Sequence, residues 1–374
     1  MKILLVAHSY APAQNGISRV ATQLAEGLAK RGHCVEVATQ HDSNRHFDEL
    51  NGVRIRSFKI TGNLVSGIKG DLKAYQTFIE NDDWDIQHQH GCQIWGFDAL
   101  LDWFPRRSCK VVVTPHGFSA FSLPNWQSYF ARFAKVAVHI DHFTCLSEVT
   151  EELPFLKKIG VQHHSIVPNG VDLQEFNQRQ HFDLRQKWKI GNRFWALNVS
   201  NHVATKGHRT LQQLARKCPE IALTNLGKPV LAERLNLGKF GVSLPCYYEC
   251  LVQERLISNY STHQVERNTL VAAYQQADVF VMPSQREAAP LVLLEAMAAR
   301  LPWVTFEAGN VAELRGGIIV RNENEMQEAV ESLRNDPILR NKLGKEGLQQ
   351  VEKQHDWNCI IEQYIEVYEK LMQP

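Results

Sequence analysis

Nowhere does this 374-residue chain reach the roughly 18–20 consecutive apolar residues of a membrane-spanning helix, which argues against an integral membrane protein. It has no excess of either charge: 41 Lys and Arg stand against 40 Asp and Glu. A net charge of +1 makes no electrostatic case for nucleic acid or an acidic membrane. The eight cysteines contain no C-x-x-C pair, and Lys2 leads straight into a short strand rather than a secretion signal. A reducing, cytoplasmic setting is therefore expected. Internal repeats and low-complexity tracts are also missing. No G-x-G-x-x-G follows the first strand, which removes the dinucleotide-dependent oxidoreductase reading.

What is present is an alternation of apolar strands and helical periods, enough at 44% hydrophobic residues for two cores of ordinary size. Lys2-Ile3-Leu4-Leu5-Val6-Ala7 reads as a buried strand, Ile17 to Arg31 as a helix stopped by Gly32, and Cys34 to Thr39 as a second strand. That is the opening of a parallel α/β sheet. Strands follow at Trp84 to His90, Val111 to Thr114 and Asp141 to Leu146, and Ser147-Glu148 is expected to start a helix. The alternation restarts at Trp195 to Ser200, with a helix beginning at Lys206-Gly207-His208.

The densest segment is Ser284 to Ala299, after the apolar run Ala277 to Pro283. Glu287 lies in a turn, Pro290 suits the first position of a helix, and Glu295 lies inside that helix, eight residues after Glu287. Helical rise separates the two carboxylates by roughly 10–12 Å. That is about the span of a sugar–diphosphate–ribose unit, with a helix N-terminus between them to receive the diphosphate. Two glutamates alone are as readily a capping and a solvated residue. Leu291, Leu294, Met297 and Ala298 at helical spacing read as core.

In this strand–turn–helix setting the chain resembles the retaining GT-B glycosyltransferases of family 4, whose E-x7-E element is followed by an Ala-Met-Ala helix, a proline and a strand, here Leu301 to Phe306. The resemblance extends to Asn15-Gly16 after the first strand, to His116-Gly117, to Pro168-Asn169-Gly170-Val171-Asp172 with Phe176, and to Gly309-Asn310 followed by Gly316-Gly317. It implies an α/β GT-B fold: two doubly wound Rossmann-like domains facing a central cleft. Residues 1–178 would bind the acceptor, 179–356 the nucleotide sugar, and 357–374 would form a helix returning to the first domain. It implies a metal-independent hexosyltransferase acting in glycan, polysaccharide or glycolipid biosynthesis. The donor would be a nucleoside-diphosphate sugar, UDP- or GDP-linked, and the acceptor a saccharide or lipid-linked hydroxyl. No cofactor is implied. His116 and Glu287 would hold the sugar and Glu295 the ribose. Gly16, Lys206 and the amides of Leu291 and Val292 would take the diphosphate.

Two departures stand out. Asn201 occupies the place, five residues before Lys206, where the family has a phosphate-gripping arginine, and His202 and Arg209 are the cations at hand to compensate. Ala288-Ala289-Pro290 replaces a glycine-rich loop, and Pro290 has no N–H to offer a phosphate. Asp83-Trp84-Asp85 spells a metal-binding D-x-D string, yet it stands at a strand's entry and reads as a solvated turn. His88 and His90 share one strand face, but no third or fourth ligand follows at a sensible spacing, so no metal is expected. Gln127 to Ile140, with Phe130, Phe133, Val136 and Val138 beside Arg132 and Lys135, either packs on the core or makes a weak peripheral contact at the inner membrane face. Loops after Thr61, Phe118 and Tyr247 are expected to select the acceptor. A GT-B sugar-nucleotide epimerase and a degenerate GT-B binding protein are the alternative readings.

Overall fold

Strands that are apolar throughout, such as Ile3-Leu4-Leu5-Val6, belong in a parallel sheet covered on both faces, and the computed structural model of the chain contains two such sheets. The structure describes all residues except 81–82, 119, 122, 230–235, 239–240, 244–245 and 374, and describes no side chains for 236–238 and 241–243. The chain divides into two units, Met1–Gly170 with Trp357–Pro374, and Val171–Asp356.

The sheet of the first unit is built from β1 (Lys2–Ala7), β2 (Cys34–Gln40), β3 (Glu49–Leu50), β4 (Val53–Phe58), β5 (Ile86–His90), β6 (Lys110–Thr114), β7 (His142–Cys145) and β8 (His164–Ile166). Their order is β8-β7-β6-β5-β1-β2-β4-β3, with only β3 antiparallel to its neighbour. The winding reverses between β1 and β5, where Ala7 pairs with His90, and such a switch point opens a crevice at the carboxyl ends of the strands. Trp95, Phe97, Phe104 and Phe133 fill the core. The helix Pro124–Ala137 turns Tyr129, Phe130, Phe133 and Val136 into that core, so most of the apolar stripe of 127–140 is packing surface, while Val138 is exposed. The last helix, Trp357–Met372, lies on the helix Gly16–Lys30, so closely that a Cβ at Gly27 would sit 2.0 Å from Ile361 Cδ1.

The second unit holds β9 (Phe194–Val199), β10 (Ile221–Leu226), β11 (Tyr260–His263), β12 (Val279–Met282), β13 (Trp303–Phe306) and β14 (Gly317–Val320). All are parallel, in the order β11-β10-β9-β12-β13-β14. Here the reversal falls between β9 and β12. One face is covered by a cluster containing Trp195, Phe280 and Trp303, the other by one containing Leu211, Val281 and Val304.

Some local expectations change. The helix expected at Ser147-Glu148 begins at Glu152. Pro290 is the cap residue and the helix runs Leu291–Ala298. Tyr247 does not precede a loop; it lies in the helix Cys246–Leu256. Ser119 and Ser122 of the loop after Phe118 lie outside the described residues. Asp85 is more than a solvated turn residue, because its Oδ2 accepts from the Lys2 amide at 2.7 Å and ties the starts of β5 and β1 together.

Candidate active site

In the second unit the turn after β9 is forced against the end of β12. Gly207 has φ +72°, and a Cβ there would stand 2.1 Å from the Pro283 carbonyl oxygen, so only glycine allows the approach. The Gln285 amide donates to the Thr205 carbonyl at 2.9 Å and joins the two strand ends. Lys206, last residue of the short turn Ala204–Lys206, thereby meets Glu287, its Nζ 2.6 Å from Oε1. Glu287 is held from behind, since the Asn310 amide donates to the Ala288 carbonyl at 2.9 Å. Gly309, at φ +58°, leaves no room for a Cβ beside that carbonyl.

Next comes the helix Leu291–Ala298, with no side-chain cap. Its first amides, those of Leu291 and Val292, have no intrahelical acceptor by helix geometry, and both residues are half-buried. One turn in, Glu295 is buried and its Oε1 lies 2.7 Å from Arg267 Nη1. Arg267 also forks onto Glu175, with both contacts at 2.6 Å. The E-x7-E helix is thus tied through one guanidinium to the helix Leu173–Asn177.

Asn201 is exposed, and its Oδ1 accepts from the Lys228 amide at 3.3 Å. Neither cation expected to compensate for it is placed to do so. His202 is 1% exposed and stacks on His208, with ring centroids 4.8 Å apart, while Arg209 forks onto Glu249.

In the first unit Gly16 opens the helix Gly16–Lys30 at the carboxyl end of β1, exposed, behind the cap Asn15 whose Oδ1 accepts from the Ser18 amide at 3.0 Å. His116 follows β6 with φ +58°, a costly conformation for a non-glycine residue. The turn is fixed by the buried Glu152, whose Oε1 accepts from the Gly117 amide at 2.6 Å. His116 Nε2 lies 2.9 Å from His90 Nδ1. His88 is bonded through Nδ1 to the Tyr368 hydroxyl at 2.6 Å and through Nε2 to Thr114 Oγ1 at 2.8 Å. These two imidazoles are therefore engaged with hydroxyl and histidine partners along the strand ends. Burial pushes the His116 pKa down to about 4 and holds those of His88 and His90 well below the ordinary value. At neutral pH His116 is an uncharged hydrogen-bonding group.

The structure thus brings Lys206, Glu287 and the Leu291–Val292 amides together, and sets Glu295 on the same helix. Glu152, Arg267, Gly309 and Asn310 were not assigned roles from sequence. Glu152 and Arg267 act on partners 35 and 28 positions away, with no local spacing to mark them.

The chain matches the family model for Glycosyltransferase Family 4 over residues 14–175 and that for Glycosyl transferases group 1 over residues 181–350. Glycogen synthase of Mycobacterium tuberculosis is 23% identical, over 98% of this chain and 94% of that protein. Sucrose-phosphate synthase from Thermosynechococcus elongatus has a similar structure, with a TM-score of 0.80 at 20% identity over 99% of this chain and 98% of that one. HepE of Anabaena, solved in complex with UDP and glucose, gives a TM-score of 0.77 at 17% identity over 99% and 100%.

Two predictions follow from the geometry. Gly207→Ala should displace the Lys206 turn and weaken binding of a nucleoside diphosphate about tenfold or more in calorimetry, while Gly191→Ala, which meets nothing within 4 Å, should not. Stability should also fall as pH drops from about 6.5 toward 4. In that window the unfolded chain takes up protons that His88, His90, His116 and His142 refuse in the folded state. Each contributes up to about 1.4 kcal/mol per pH unit. Asp98, raised by burial to about 6, works in the opposite direction but is one group against four. Urea titrations at pH 7.5, 6 and 5 check this, and equal midpoints at all three would contradict it.

Proposed function

This chain belongs to the GT-B glycosyltransferases of family 4, and we propose that it transfers a sugar from a UDP- or GDP-sugar to a hydroxyl acceptor with retention of configuration. The observation that carries the reading is the junction of Lys206, Glu287 and the uncapped helix N-terminus at the switch point of the second sheet. A diphosphate seated there meets the Lys206 ammonium and the amides of Leu291 and Val292.

In the proposed step the bond from the anomeric carbon to the phosphate oxygen breaks while the acceptor oxygen bonds to the same face. The acceptor proton passes to the departing phosphate oxygen, giving the free nucleoside diphosphate. No carboxylate nucleophile and no divalent metal is required, because Lys206 and the amides take the charge that grows on the leaving group. Glu287 exchanges its partner Lys206 for sugar hydroxyls, and Glu295, already oriented by Arg267, accepts from the ribose diol. With Asn201 in place of a second cation, the phosphate grip of the β9 turn rests on Lys206. A saccharide or lipid-linked acceptor falls to the first unit. Among the described residues no helix is long and apolar enough to cross a membrane.

A thermal-shift panel of UDP-, GDP- and ADP-sugars, followed by transfer assays, tests the reading. A donor at 100 times its Kd should add about 2.7 kcal/mol of stability. Release of nucleoside diphosphate that depends on a sugar acceptor supports transfer. An epimerised sugar without acceptor would make the protein an isomerase, and stabilisation without turnover would make it a binding protein. Lys206→Ala should lower kcat more than it raises KM, because the cation acts on charge that grows as the bond breaks. A pure KM effect would limit Lys206 to recruiting the donor.

A further inference from the structure

Directly behind the Lys206 turn the second unit gathers four residues that the transfer chemistry does not use. His202 and His208 flank Lys206 in sequence, and Cys246 and Cys250 stand four apart on one face of the helix Cys246–Leu256. One ligand atom from each lies within 4.8 Å of all the others. His202, His208 and Cys250 are buried, and Cys246 is half-buried.

The hydrogen bonds around the cluster aim the right atoms inward. Asn198 donates its amide to the Val281 carbonyl at 2.7 Å, which leaves its Oδ1 to accept from the Ser200 hydroxyl, also at 2.7 Å. With its proton spent, Ser200 Oγ can only accept from His208 Nε2, 3.0 Å away. The Nε2 of His208 is then protonated, and its Nδ1 carries a lone pair, 2.9 Å from Cys246 Sγ. His202 Nε2 lies 3.3 Å from Thr262 Oγ1 and 3.4 Å from Asn225 Nδ2, while its Nδ1 is buried with no hydrogen-bond partner. Buried Gln212 points its amide at Cys250 Sγ from 3.5 Å, as a group supporting a thiolate would.

We propose that His202 Nδ1, His208 Nδ1, Cys246 Sγ and Cys250 Sγ form a closed tetrahedral site for one zinc ion, which braces the Lys206 turn against the helix Cys246–Leu256. Two imidazoles and two thiolates are a zinc donor set, and imidazoles held through their far nitrogens are the usual outer shell of such a site. Four protein ligands leave no open position, so the ion is structural and the transfer step stays metal-free. The site lies between segments 38 to 48 residues apart and uses a C-x3-C spacing, which is why no metal was expected from sequence.

Protein purified without chelator or histidine tag is analysed by mass spectrometry for metal. About one zinc per chain is expected. Exchange into cobalt should give the visible bands of a tetrahedral thiolate site. Stripping zinc should lower the melting temperature, and the amides of Asn201 to Gly207 should then exchange faster with deuterium. Readdition of zinc should restore both. Cys250→Ser and His208→Ala should each cut zinc content about tenfold or more, while Cys34→Ser keeps it. Wild-type protein needs no variant to fold, so its own result decides. Less than about a tenth of an equivalent of zinc with reduced thiols and no cobalt bands would overturn the site. A Cys246–Cys250 disulfide in the purified protein would overturn it as well.

Discussion

The contact between Gly207 and the Pro283 carbonyl is the constraint from which the second unit's chemistry is organised. A parallel sheet that winds both ways parts its connections at one place, and here that place lies between β9 and β12. Two loops leaving adjacent strand ends would ordinarily diverge. Removing the side chain at 207 lets the backbones touch, and the Gln285–Thr205 hydrogen bond holds them. Lys206 and Glu287 then have no choice but to meet, and the helix after Pro290 starts beside them with its amides uncapped. His202 and His208 flank the same turn in sequence.

Charge is treated differently at the two sets of strand ends. In the second unit Arg267 lies between half-buried Glu175 and buried Glu295 at contact distance from both. Removing one member of such a group leaves a charge buried without compensation, which costs far more than the group contributes when whole. The arrangement makes Glu295 at once a ribose partner in the proposed reaction and a fastener between two helices. At the strand ends of the first unit the imidazoles stay neutral. His88, His90 and His116 are too buried to protonate readily, and they bond through Tyr368, Thr114 and one another.

Alternation of apolar strands with helical periods determined the α/β class and eight of the fourteen strands described in the two sheets, because burial on both faces of a parallel sheet leaves a local, continuous signature. The E-x7-E element and the glycine at 16 were legible for the same reason: a turn and a helix start are decided by residues close together in the chain. Tertiary structure alone decided what each side chain meets. Glu152 under the His116 turn, Arg267 between two glutamates, and His202 turned inward rather than toward a phosphate all depend on segments that are distant in sequence. Four scattered residues converge on one point behind Lys206 for that reason too. Spacing along a chain records only the periodicity of its own element, and a site assembled from three elements acquires its geometry when those elements pack.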